Sequence, residues 1–219
     1  MKKYFVVGNP IEHSLSPKLH NFWIKNNSID AIYEKKILSK DGLKNLILEV
    51  KKKKIHGINV TVPFKKTVIP YLDQLSTESK NTQSVNTIYL NNNKTIGHNT
   101  DIEGFERGIK ETKLDIKNKK VLILGAGGVA PSIIFALYKM KVSEIMITNR
   151  TKSKAEDLKG LFKNLKIVDW GKVPEFDIII NATSVGLKKG DEINLDFSKI
   201  GKNKFFYDLI YNPNETNFL

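Results

Sequence analysis

Val121-Leu122-Ile123-Leu124-Gly125-Ala126-Gly127-Gly128-Val129-Ala130 decides the fold class of this chain. Four consecutive apolar residues read as a short strand buried on both faces, as in a parallel sheet covered by helices. A glycine turn follows directly, and then a helix over about residues 128–140. The turn fits G-x-G-x-x-(G/A), with alanine in the last place. In that pattern the first glycine permits a tight turn and the second lets backbone approach a pyrophosphate. The small last residue lets the helix pack close to its strand. A pyrophosphate would then rest on N–H groups at the positive end of the helix. Glycine turns also join strands to helices for purely structural reasons, so the hexapeptide alone is weak. Its strand–turn–helix–strand setting points to a dinucleotide site formed by Gly125, Ala126, Gly127, Gly128 and Val129.

The next strand, Glu144–Thr148, sharpens the reading. A site for NAD usually ends that strand with Asp or Glu, which accepts from the ribose 2′-hydroxyl. Here Asn149 stands there, followed by Arg150-Thr151-Lys152-Ser153-Lys154. A 2′-phosphate would be repelled by a carboxylate and held by a guanidinium and hydroxyls, so the pattern favours NADP. Thr151 also suits the cap of a helix over about 152–163, and a capped helix start binds anions equally well.

Outward from this segment, short β-branched runs alternate with amphipathic stretches along the whole chain, the pattern of an α/β protein. Residues 3–8 read as a first strand. Ser16 suits the N-cap of a helix with Pro17 at its first position, and Leu19, Phe22 and Trp23 form its apolar stripe. Ala31–Ile37 is a second strand. A helix beginning around Ser39 presents Leu43, Leu46, Ile47 and Val50 on one face. Ile58–Val62 is a strand stopped by Pro63. Val85–Leu90 and Thr95–Gly97 flank Asn91-Asn92-Asn93, a hairpin turn. Residues 102–113 form a linking helix, which puts the boundary between two halves near 101–117. Ile167-Val168, Asp177–Asn181 and Phe205–Asp208 supply later strands.

Composition removes several function classes. Cysteine is absent from the 219 residues, which excludes disulfides, thiolate catalysis and zinc–thiolate sites. The four histidines, His13, His20, His56 and His98, have no metal-site spacing, so no metal is expected. No apolar run is long enough to span a bilayer, and the apolar stretch after Lys2-Lys3 is too short for a signal peptide. A cytoplasmic protein without a membrane partner is the expectation. The net charge of +13 comes almost wholly from lysine spread along the chain, since only Arg107 and Arg150 are arginine. Nucleic-acid binding calls for clustered arginine with interleaved aromatics, and none is expected here. Attraction of anionic small molecules is the reading that remains.

The first half carries polar residues that a fold does not require. Asn59 and Thr61 lie two apart in a strand and so share a face. Lys65 follows in the turn after Pro63. Asp101 ends Gly97-His98-Asn99-Thr100-Asp101 at the boundary, and Ser14 and Ser16 flank a helix start, where a carboxylate would meet hydroxyls and N–H groups. Each has a bland alternative: Ser16 caps, Asp101 caps the linking helix, and Lys65 faces solvent.

Taken in order, these segments resemble a known family. Gly8-Asn9-Pro10-Ile11-Glu12-His13-Ser14-Leu15-Ser16-Pro17 is similar to the opening signature of the shikimate dehydrogenases. Asn59-Val60-Thr61-Val62-Pro63-Phe64-Lys65 looks like their catalytic-lysine motif. Ser84-Val85-Asn86-Thr87, Gly97–Asp101, Gly125–Ala130, Asn149-Arg150-Thr151, Asn181–Gly186 and Asp208–Pro213 complete the series. Ser84 departs from the usual alanine, and Pro131 enters the cofactor helix in its first turn, where proline is tolerated.

The resemblance implies two α/β domains: a substrate-binding, catalytic domain over 1–101 with a mainly parallel sheet, and a Rossmann-type NADP-binding domain over 102–219. It implies NADPH-linked reduction of 3-dehydroshikimate to shikimate, toward aromatic amino acids. Lys65 and Asp101 would form the catalytic pair, and Ser14 and Ser16 would hold the substrate carboxylate. Asn59, Thr61, Asn86 and Asp101 would hold its hydroxyls, with Tyr211 also at the substrate. Thr183 would join the glycine turn, Asn149, Arg150 and Thr151 at the cofactor. The chemistry agrees with the residue types, because an alkoxide developing at a reduced ketone needs a proton and a nearby positive charge. Family members continue beyond the point matching Leu219 with helices returning to the first domain, so a first domain with exposed surface is expected. A relative acting on quinate, or a catalytically impaired NADP-binding fragment, are the competing expectations. A monomer or a homodimer is compatible with all of them.

Overall fold

The computed structural model describes every residue except Lys40 and Lys189. The chain divides into two compact units, Met1–Ile102 and Glu103–Leu219.

The first unit is built on β1 (Lys2–Gly8), α1 (Ser16–Asn26), β2 (Ala31–Ile37), α2 (Gly42–Lys51) and β3 (Gly57–Val60). After these come α3 (Phe64–Thr67), a single 3-10 turn, β4 (Gln74–Leu75), α4 (Thr77–Thr82), β5 (Thr87–Asn91) and β6 (Lys94–His98). Its six strands lie in the order β2-β1-β3-β5-β6-β4. β1 pairs in parallel with β2 and β3, whereas β5 runs antiparallel to both β3 and β6. The sheet is therefore mixed, and the antiparallel member comes from the tight hairpin at Asn92 and Asn93. Both residues have positive φ, as a two-residue turn matched to strand twist requires. One face of the sheet is closed by α2, whose Leu43, Leu46, Ile47 and Val50 are all buried against Val7, Ile58, Val60 and Ile88.

Three local expectations change in this unit. α2 starts at Gly42 rather than near Ser39. The third strand stops at Val60, because Thr61 and Val62 already turn toward α3. In α1 the proline sits in the first turn as expected, yet Ser16 is the first helical residue and not the cap; its own N–H donates to Ser14 Oγ at 3.3 Å. The apolar stripe of α1 is not core either. Leu19, Phe22 and Trp23 are all exposed, and no residue of the helix is fully buried. Apolar spacing reports which residues share a face, not whether anything covers it.

The second unit begins within α5 (Asp101–Glu111), which straddles the division. It continues through β7 (Lys120–Leu124), α6 (Ala130–Lys139), β8 (Glu144–Thr148), α7 (Lys152–Leu161), β9 (Lys166–Val168), β10 (Ile178–Asn181) and β11 (Phe205–Asp208). Its sheet, β11-β10-β7-β8-β9, is parallel throughout. Val121–Leu124 and Ile178–Asn181 are buried along their whole length, as expected of central strands covered on both faces. Strand order reverses between β7 and β10, the place where open α/β sheets leave a crevice at their strand ends. The fold class is thus α/β, with a Rossmann-type second unit. Among the described residues no helix is long and apolar enough to cross a membrane.

Asp73, in the turn before β4, ties the edge of the first sheet together. It accepts from Lys51 Nζ at 2.7 Å and from the Thr95 N–H and hydroxyl, both at 2.8 Å. The Lys51 hydrogen bond, followed by the two from Thr95, lowers its pKa to about 2. A depressed carboxylate contributes stability above its unfolded pKa and loses it as pH falls through the folded value. Asp73→Asn should therefore be less stable than the parent near about pH 6, with the gap closing toward about pH 2. Urea unfolding followed by circular dichroism at the two pH values measures this; a gap that does not change with pH would count against it.

Candidate functional site

In the first unit the polar residues gather at one edge of the sheet, and the strand directions explain why. β1 and β3 run in parallel, so Gly8 and Val60 end at the same edge, followed by the Ser14 loop and by Lys65. Because β5 is antiparallel to β3, its start faces the end of β3, with Asn59 opposite Thr87. β6 reverses again, so Thr87 lies opposite His98 and Asp101 follows at the same edge.

At the centre of this edge Lys65 Nζ donates to Asp101 Oδ2 at 2.7 Å. The pair is largely shielded, with side-chain exposures of 12% and 21%. Lys65 is held by its neighbours: Phe64 is buried in the core, and the Lys65 carbonyl accepts from the Val85 N–H at 2.8 Å. Asp101 opens α5, and its N–H donates to Asn99 Oδ1 at 3.0 Å. Its second carboxylate oxygen accepts from Asn86 Nδ2 at 2.8 Å. Asn59 Nδ2 donates to Thr87 Oγ1 at 3.1 Å and to the Asn86 carbonyl at 3.3 Å.

Four of the residues singled out in sequence, Lys65, Asp101, Asn86 and Asn59, are therefore joined in one hydrogen-bonded cluster. Ser14 and Ser16 are linked to each other at the start of α1. Thr61 is half-buried, with its methyl against Gly8; a side chain at Gly8 would meet that methyl at 2.6 Å, which is why glycine ends β1. Tyr211 belongs to the second unit, in the segment after β11, and is 66% exposed.

Three members of the cluster escaped the sequence reading. Tyr33, buried in β2, donates from its phenol to Asn59 Oδ1 at 2.7 Å. Thr87 donates to Asn86 Oδ1 at 3.0 Å. The Thr100 N–H donates to the same oxygen at 2.9 Å. The signal for Tyr33 was available, since a tyrosine on the inner face of a strand needs a partner for its hydroxyl. Thr87 and Thr100 lie inside two of the motif segments, Ser84–Thr87 and Gly97–Asp101, but their residue type alone gave them no role.

In the second unit Gly125 has φ +101°, and a Cβ there would lie 2.9 Å from the Ala182 carbonyl oxygen and 2.8 Å from the Thr183 methyl. Both the turn and the close approach of the β10 end require glycine. Asn149 braces the turn: its Oδ1 accepts from the Ala126 N–H at 3.0 Å and its Nδ2 donates to the Thr151 carbonyl at 2.8 Å. A glutamate or aspartate there would lose that second bond. Arg150 is exposed and makes no ion pair among the described residues. Thr183 is fixed from behind by Asn181, whose Oδ1 accepts from its hydroxyl at 2.7 Å and whose Nδ2 donates to Asp208 at 3.0 Å.

Two details differ from expectation. α6 starts at Ala130 rather than at 128, and the Ala130 N–H is already used by the Gly127 carbonyl. Thr151 stands at the N-cap of α7 but makes no side-chain capping bond, which leaves its hydroxyl available. No cluster of histidine and acidic residues suited to a metal ion occurs among the described residues.

A parallel sheet with a glycine turn at its switch point, and a second sheet with a shielded lysine–aspartate pair, define the class of two-unit dinucleotide-dependent dehydrogenases. Comparison with known proteins narrows the class. Residues 6–88 match the family described as the shikimate dehydrogenase substrate binding domain, and residues 108–205 match the one described as shikimate / quinate 5-dehydrogenase. Shikimate dehydrogenase (NADP(+)) of Pelagibacter ubique is 59% identical over 220 residues, covering 100% of this chain and 83% of that protein. A crystal structure of a shikimate dehydrogenase in complex with NADP+ superposes with a TM-score of 0.91 at 33% identity, over 100% of this chain and 80% of the other. The enzyme of Thermus thermophilus, in complex with NADP(H) and shikimate, gives 0.87 at 31% identity, over 97% and 80%. The chain belongs to the shikimate dehydrogenase family.

Gly125→Ala should lower the thermal unfolding midpoint, because it forces a side chain into a left-handed turn and against the backbone carbonyl of Ala182. Scanning calorimetry checks this; an unchanged midpoint would mean that the turn can relax freely.

Proposed function

We propose that the chain catalyses the reversible NADP-linked reduction of 3-dehydroshikimate to shikimate, as a cytoplasmic step toward chorismate and the aromatic amino acids. The observation that carries this reading is the shielded Lys65–Asp101 pair, hydrogen-bonded to Asn86 at the strand edge.

The residues present fit the cofactor. Gly125, Ala126, Gly127, Gly128 and Val129 would hold its pyrophosphate, and the close approach at Gly125 leaves no room for a side chain at that position. Arg150, exposed and without an ion pair among the described residues, and the Thr151 hydroxyl, which makes no capping bond, would hold a 2′-phosphate, while Asn149 presents no carboxylate to repel it. Thr183 would line the neighbouring strand end. Bound NADPH supplies the hydride that reduces the ketone.

The protein's own part is proton handling and orientation. Lys65 holds a proton on Nζ and gives it to the oxygen of the reduced carbonyl, while its charge stabilises that oxygen as negative charge develops. In the reverse direction the same nitrogen takes the hydroxyl proton. Asp101 fixes the ammonium through Oδ2 and faces a substrate hydroxyl. Ser14 and Ser16 would bind the substrate carboxylate, and Asn59, Thr61, Asn86 and Tyr211 its remaining polar groups. Every N–H of the Asn86 amide is engaged, so a substrate hydroxyl reaches it by replacing the exposed Thr100 hydroxyl.

A steady-state assay with shikimate and NADP+, with quinate and NAD+ in parallel, tests the reading. Lys65→Ala should lower kcat by about 100-fold or more, the usual contribution of a positioned proton donor. No turnover of shikimate by the parent protein would sink the assignment, and a fast Lys65→Ala variant would sink the mechanism. Arg150→Ala should raise KM for NADP+ about tenfold, in line with loss of one charge-assisted hydrogen bond, and leave KM for NAD+ unchanged. Equal changes for both cofactors would remove Arg150 from the 2′-phosphate site.

A further inference from the structure

A continuous line of side-chain hydrogen bonds connects Tyr33, deep in β2, to Lys65. The Tyr33 phenol donates to Asn59 Oδ1 at 2.7 Å, and Asn59 Nδ2 donates to Thr87 Oγ1 at 3.1 Å. Thr87 Oγ1 donates to Asn86 Oδ1 at 3.0 Å, and Asn86 Nδ2 donates to Asp101 Oδ1 at 2.8 Å. The other oxygen of Asp101 accepts from Lys65.

The direction of every bond follows from the two ends. An ionised carboxylate only accepts, so Asp101 fixes which end of the Asn86 amide faces it. Asn86 Oδ1 then faces the other way and accepts from the Thr100 N–H and the Thr87 hydroxyl. With its one proton committed, Thr87 can only accept from Asn59. That turns Asn59 Oδ1 toward a donor, which Tyr33 supplies. Tyr33 is only 4% exposed, and burial pushes its phenol up, so it stays protonated and keeps donating. Its place is fixed by Asn21, which bonds both its N–H and its carbonyl, and by the His20 ring stacked on it at 4.1 Å.

We propose that Thr87 is the positioning residue that couples the amides of Asn59 and Asn86, and through Asn86 steadies the aim of the Asp101–Lys65 pair, with Tyr33 anchoring the far end. Thr87 is the one member bonded to both amides, and it belongs to neither the proton transfer nor the substrate contacts. Without its hydroxyl Asn86 keeps Asp101 and the Thr100 N–H, and Asn59 keeps Tyr33 and the Asn86 carbonyl, but each amide loses the bond that ties it to the other and holds it in place. Tyr33 reaches Asn59 and the Ser16 side chain, and not Asn86. The consequence for catalysis rests on the activity proposed above; the geometry of the relay does not.

Thr87→Val, which keeps the shape and removes the hydroxyl, should lower kcat for shikimate about tenfold and raise its KM, with KM for NADP+ unchanged. Thr87→Ser should return both to within about twofold of the parent, as rescue by a hydroxyl requires. In an Asn86→Ala background Thr87→Val should have no further effect on kcat, because the two act in series. An independent reading comes from the side-chain amide signals in the proton–nitrogen NMR spectrum of the unliganded protein. Thr87→Val should move the signals of Asn59 and Asn86 together, and Thr87→Ser should restore them. Turnover by the parent with an unimpaired Thr87→Val variant, or independent effects of Thr87→Val and Asn86→Ala, would overturn the catalytic role. Unmoved amide signals would overturn the relay itself. A parent that fails to turn over shikimate overturns the proposed activity instead, and the amide signals still decide the relay.

Discussion

Antiparallel pairing of β5 with both β3 and β6 is the constraint on which the first unit depends. Three parallel strands alone would bring only Gly8, Ile37 and Val60, with the segments that follow them, to the edge that carries Lys65. The hairpin at Asn92-Asn93 turns the chain back within two residues. The start of one strand and the end of the next then meet the end of β3. Asn86, Thr87 and Asp101 reach Lys65 by this reversal, although they are spread over the 36 residues that separate Lys65 from Asp101. A register slip of one residue would turn these side chains to the opposite face and break the cluster.

The second unit solves its problem with a different device. Its sheet is wholly parallel, and the crevice arises where strand order changes direction between β7 and β10. Two short segments meet there, the glycine turn after β7 and Ala182-Thr183 after β10. Their separation leaves no room for a Cβ at Gly125. Asn149 and Asn181 brace the two segments from behind. Both asparagines use their amide oxygen and nitrogen on neighbouring chain, so each fixes a loop that regular sheet hydrogen bonding leaves free.

The two ends of the charge range show how context divides similar residues. Lysine is abundant and mostly exposed, and most of its ion pairs, such as Lys120 with Glu175, lie in solvent where they contribute little. Lys65 is chemically the same, yet its pair with Asp101 is shielded and both members are held by backbone contacts. Shielding strengthens the pair and fixes its geometry, which sets this lysine apart from the exposed ones.

Periodicity and motif spacing were enough to establish the α/β class and the strand–turn–helix built on the glycine turn. These rest on local rules: apolar runs, turn residues and the chemistry of single side chains. The sequence also singled out Lys65, Asp101, Asn59 and Asn86. It misplaced what depends on neighbours. The apolar stripe of α1 was legible as a stripe, but whether it is covered depends on what packs there, and Leu19, Phe22 and Trp23 are exposed. Ser16 has the chemistry of a cap, but the helix begins one residue too early for it to act as one. The partners of Asn59 and Asn86 were illegible for the same reason. Tyr33 and Thr87 lie 54 positions apart, and only sheet register places them on either side of one amide. Sequence by itself determined which chemical groups this protein carries and along which strands; tertiary structure alone decided which of them touch, because hydrogen bonds act over about 3 Å and chain separation says nothing about that distance.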